Sequence, residues 1–178
     1  MASLERTAYP QFLSYYSPSD LRQFFTLQDE EINWLKSAGR SAGTRLGLAV
    51  LLKVFQHLRY FPSLDKIPSE VITHVRNGLG FGDAIRIEYP VERTLFRHKA
   101  MVLGLLNVKP FHGHDAMRQA ERFACDAAEL MDQRADIING IIEGVLQARY
   151  ELPAFSTLDD LAEKAHAAVQ NRVFGKVF

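Results

Sequence analysis

Apolar positions recur three and four residues apart along almost the whole chain, the period of helices that bury one side. Ser17-Pro18 places a capping residue before a proline at the first helical position, and Leu21, Phe24 and Phe25 follow at helix spacing. Thr26-Leu27-Gln28-Asp29 has the form of a capping box. It opens a helix that carries Ile32, Trp34 and Leu35 and stops at Gly39. The longest apolar helix is expected over Ala42 to Tyr60, where Leu48, Leu51, Leu52 and Phe55 should form a core with Trp34. Pro68 opens a helix through Val71, Ile72 and Val75, closed by the glycines between Asn77 and Gly82. Residues 84–89 alternate weakly, but a lone strand has no partner, so the segment reads as loop. Pro90 opens the next helix, 91–107, with Val91, Leu95, Val102 and Leu106 as its buried stripe. Helices over 115–131 and 134–150 come next. In the last, Ser156-Thr157 is the cap, Asp159 and Asp160 occupy the first turn, and the helix runs to about residue 174. The expected fold is all-α with eight helices, in two small subdomains, 1–110 and 111–178.

Composition adds exclusions. The chain has 178 residues, 47% of them hydrophobic and 24% charged, which is the profile of a globular protein and not of a disordered or fibrous one. Cys125 is the single cysteine, so no internal disulfide forms and a reducing compartment fits. Leu46 to Phe55 is the most apolar stretch, and it is too short to span a membrane. The N-terminus lacks the apolar region of a signal peptide, and a cytoplasmic location is expected.

Charge is balanced overall, with 21 basic and 21 acidic residues, yet it is unevenly spread. Residues 40–110 hold eleven Lys/Arg against five Asp/Glu, whereas 111–178 hold seven against eleven. A basic middle suits an anionic partner.

Most catalytic patterns are missing. The chain shows no phosphate loop, no Gly-x-Ser-x-Gly, no His-Glu-x-x-His and no Cys-x-x-Cys. His112, His114 and Asp115 are near neighbours in a loop but would need further donors to hold a metal. Cys125 sits among Phe123, Ala124 and Ala127 and reads as a small buried residue. Asp126, Glu129, Asp132 and Asp136 read as a solvated helix face with local ion pairs to Arg122 and Arg134. No catalytic residue, metal ligand or cofactor is assigned to this chain.

The helix over 91–107 carries the richest chemistry. Arg93, Thr94, Arg97 and His98 fall opposite the expected buried stripe, within the first turns, where a recognition helix meets base edges. Arg45, Lys53, Arg59 and Lys99 are the matching phosphate candidates. A basic face that merely meets solvent is the competing reading.

The sequence also resembles a known family. Tyr9-Pro10-Gln11-Phe12, Tyr15-Tyr16-Ser17-Pro18, Arg45-Leu46-Gly47-Leu48, Tyr60-Phe61-Pro62, Arg97-His98-Lys99 and Leu152-Pro153-Ala154-Phe155 occur in the order found near the start of Tn-three-family transposases. These are large replicative enzymes of bacterial transposons with terminal inverted repeats. The resemblance implies a helix-turn-helix-like region that binds those repeats in double-stranded DNA. Catalysis, by an acidic triad with magnesium, would lie outside this chain. It further implies truncation after Phe178, with the remainder of the transposase and a second copy (a homodimer) as candidate partners and no membrane. A helical protein–protein assembly module is the alternative reading.

Overall fold

The computed structural model describes residues 2–38 and 40–174. Among the described residues it contains eight α-helices, two short 3-10 turns and no strand; one isolated bridge joins Lys109 and Tyr150. The fold is all-α. The chain forms two compact units, Pro10–Leu106 and, together, residues 2–9 and 107–174.

In the Pro10–Leu106 unit, α1 (Pro18–Phe25), α2 (Asp29–Ala38), α4 (Ser69–Gly78) and α5 (Glu92–Leu105) all pack on α3 (Ala42–Leu58). The reason is compositional: α3 is apolar on nearly every side, so it must be surrounded. Leu48, Leu51, Leu52 and Phe55 are fully buried as expected, but Trp34 is only half-buried. Ser17 caps α1 as read, and a full capping box forms, with Ser17 and Asp20 exchanging side-chain and backbone bonds. The next one does not. Thr26 ends α1 in an extended conformation and its hydroxyl meets His74 Nε2 at 3.0 Å. Leu27 is buried in the connection, and Gln28 N–H donates to Glu31 Oε2 at the start of α2. The expected stop at Gly39 lies outside the described residues.

The loop 79–91 forms no strand, and it runs against the first half of α3, where Glu88 N–H donates to the Gly43 carbonyl. Glycines permit that approach: a Cβ at Gly43 would sit 2.8 Å from the Arg86 carbonyl, and one at Gly47 would sit 2.6 Å from the Tyr89 ring. Buried Arg76 ties the loop to α4 by donating to the Ile85 carbonyl.

The buried stripe of α5 differs from the expected one. His98, Val102 and Leu103 are buried and Leu95 is half-buried, whereas Val91 lies ahead of the helix as its N-cap and is 58% exposed. The spacing i, i+3, i+7 puts His98 between Leu95 and Val102, so the histidine belongs to the core side. The helix ends before Asn107, whose φ of 53° is in the left-handed region that asparagine tolerates.

In the other unit, α6 (Gly113–Leu130), α7 (Arg134–Gln147) and α8 (Phe155–Phe174) pack on one another. Ala116, Ala120, Ala124 and Ala127 form the buried stripe of α6 and allow close packing. A Cβ at Gly140 of α7 would sit 2.8 Å from that of Ala127. Cys125 falls beside that stripe and is exposed, contrary to expectation. α8 starts at Phe155, because the Ala154 carbonyl accepts its first backbone bonds. Ser156 and Thr157 are therefore inside the helix, and Asp159 is past the first turn. Arg134 pairs with Asp159 at 2.8 Å and with Glu163 at 3.1 Å, and Arg172 with Glu129. These pairs connect helices; the local pairs read from the sequence do not account for them. The N-terminal segment belongs here too, since Tyr9 Oη donates to the Pro153 carbonyl and Ala8 N–H to Asn139. No local sequence signal announces that long-range pairing. Residues 175–178, where the resemblance implies truncation, lie outside the described residues.

Candidate nucleic-acid interface

Ser41 begins α3 with a capping box. Its hydroxyl accepts from Thr44 N–H at 3.2 Å, and Thr44 Oγ1 accepts from Ser41 N–H at 3.2 Å. The first turn of α3, its positive dipole end, lies beside the N-terminal half of α5. Between them is a cleft of about 280 Å³ lined by Arg40, Ser41, Thr44, Thr94, Arg97 and His98. Two arginines and a helix N-terminus line it, and the Glu88 side chain packs on Gly43 of that same turn. Such a cleft attracts an anion.

His98 is 1% exposed, and its Nδ1 lies 2.8 Å from Tyr89 Oη. Burial, and then the Arg97 charge, hold its pKa below the usual histidine range. Burial pushes the Tyr89 hydroxyl well up, so this phenol keeps its proton.

The four base-reading candidates therefore divide. Arg93 and Arg97 are exposed on the side of α5 away from Leu95 and Val102. Thr94 is half-buried and His98 is buried, which withdraws both from a projecting, base-reading face. The phosphate candidates divide as well. Lys53 is buried against α2: its Nζ lies 3.1 Å from Glu31 Oε2, and Gln56 donates to the same carboxylate. The expectation that it reaches DNA is corrected, because the ion pair holds the lysine inside. Arg45 is half-buried on α3. Arg59 is exposed, but it caps the far end of a 17-residue helix, ~25 Å from the cleft at 1.5 Å per residue. The Lys99 ammonium lies over the rings of Phe61 and Phe96, at 5.7 and 5.9 Å. His112, His114 and Asp115 are all exposed, Asp115 pairs with Arg118, and the described residues hold no group of metal ligands.

Sequence reasoning missed Arg40, Ser41, Thr44 and Tyr89. The pattern Ser41-x-x-Thr44 after Arg40 could have marked the start of α3. That α5 comes to rest against it could not be read locally.

Buried His98 and half-buried His57 and His74 carry a pH prediction. Desolvation lowers the pKa of His57, His74 and His98, with Arg22 adding to the effect at His74 and Arg97 at His98. As pH falls through about 6.5, the unfolded chain takes up these protons before the folded one does. Stability is therefore full above that pH and declines below it. A thermal midpoint at pH 5 should lie below that at pH 7, and His98→Gln should reduce the difference. A midpoint that rises on acidification would contradict the burial of these rings.

None of the described helices is long and apolar enough to cross a membrane. No curated protein matches the chain. Residues 1–165 match the family described as Domain of unknown function (DUF4158), and the chain belongs to that family.

Proposed function

We propose that the Pro10–Leu106 unit binds double-stranded DNA, and that the chain is the end-recognising region of a Tn-three-family transposase in the bacterial cytoplasm. The observation that carries the reading is the cleft lined by Arg40 and Arg97 at the N-terminus of α3, with Glu88 packed on Gly43 of the same turn. Domains of this family are commonly found at the N-terminus of such transposases. Arg93, exposed in the first turns of α5, is the residue offered to base edges. Arg40, Arg59 and Lys99 supply backbone contacts that position without specifying. Catalysis and its magnesium belong to the remainder of the transposase.

The second reading is an assembly module. Leu130, 84% exposed at the end of α6, beside exposed Met131, favours that role for the 107–174 unit toward the rest of the transposase.

The test is selection of duplexes from a random-sequence pool by the purified chain, followed by a salt titration. One sequence should be enriched, and log K should fall against log salt with a slope of about −3, for three to four phosphate contacts. A chelator should leave the affinity unchanged, and added magnesium should produce no nicking. Failure to enrich any duplex would overturn the DNA reading, and metal-dependent nicking would overturn the placement of catalysis outside the chain.

A further inference from the structure

The cleft between α3 and α5 is more specific than a basic surface. Its wall includes a histidine that is 1% exposed, whose Nδ1 is engaged by Tyr89 and whose Nε2 has no hydrogen-bond partner among the described residues. A ring nitrogen on the cleft wall that no protein group engages is free to serve a ligand there. With Tyr89 as donor to Nδ1, His98 carries its proton on Nε2 and is a neutral donor at pH 7. Arg40 and Arg97 bring two guanidinium groups, whose planar forks can each hold two oxygens of a tetrahedral phosphate. Ser41 and Thr44 bring hydroxyls at the positive end of α3.

We infer that this cleft seats a single phosphate group, supplied by the backbone of the bound DNA, with Arg40 and Arg97 as the clamp and His98 Nε2 as a neutral third donor. Tyr89 is a positioning residue: it fixes the tautomer and is itself held against Gly47. The inference rests on the DNA-binding reading above and gives Arg97 a phosphate to hold, leaving base reading to Arg93.

Two arms test it. In the first, each phosphate of the selected duplex is replaced in turn by an uncharged methylphosphonate, and affinity is measured for the full chain and for Arg97→Gln. One position should cost the wild-type chain about tenfold and cost Arg97→Gln almost nothing, while the other positions keep their effects. Tyr89→Phe should weaken the effect at that same position only. In the second arm, inorganic phosphate is titrated into the chain without DNA, at ionic strength matched with chloride. The His98 Nε2 and Arg97 Nε resonances should shift with phosphate and not with chloride.

A wild-type profile unchanged in Arg97→Gln would overturn the inference, and so would DNA binding without any phosphate-specific shift. Shifts in a chain that binds no duplex would overturn both the backbone assignment and the DNA reading, giving the cleft to a free phosphate.

Discussion

Leu52→Ala should lower the unfolding free energy by about 2–5 kcal/mol, and Leu51→Ala by a similar amount. Both residues have no exposed surface on α3, the helix on which α1, α2, α4 and α5 all pack. Truncation there loses buried apolar area and leaves a cavity that the four surrounding helices cannot all close at once. Denaturant melts of the two variants check this directly. Midpoints equal to that of the parent would mean that α3 does not organise this unit.

The second large effect is expected at Lys53, for an opposite reason. Its ammonium and the Glu31 carboxylate are 7% and 14% exposed as side chains, so each depends on the other for its charge. Lys53→Ala leaves the Glu31 carboxylate without its counter-charge, held only by Gln28 N–H and Gln56, and should cost about 3–5 kcal/mol. The double change Lys53→Met, Glu31→Leu removes both charges and should recover most of that loss, because an apolar pair of similar volume is at least as well tolerated. A lysine that instead projects to solvent would give a single variant as stable as the parent. The same measurement separates stability from binding: on DNA, Lys53→Ala should act only through the folded fraction.

The all-helical fold was legible because α3 is continuously apolar from Leu46 to Leu52, and because Ser17-Pro18 states the start of α1 in chemistry that needs no tertiary context. Legibility failed where burial depended on a partner element. Lys53 reads as a protruding charge until α2 brings Glu31 beside it. His98 reads as part of a polar face until the loop carrying Tyr89 covers α3 and offers its hydroxyl. Cys125 reads as core until the alanine stripe of α6 is seen to pass one residue to its side. The candidate site shows the same limit. Thr94 and Arg97 were found from the helical spacing of α5, whereas Arg40, Ser41 and Thr44 lie some fifty residues earlier and reach the cleft only through packing.

The central claim is that α5 reads DNA sequence with Arg93 while the cleft holds backbone. The most direct measurement compares the selected duplex with a scrambled one for the wild-type chain, Arg93→Ala and Arg97→Ala. The wild-type chain should prefer the selected duplex. Arg93→Ala should lose about 1–3 kcal/mol on it and little on the scrambled one, whereas Arg97→Ala should weaken both alike. A wild-type chain that binds the two duplexes equally, or an Arg93→Ala variant with an unchanged preference, would contradict the account.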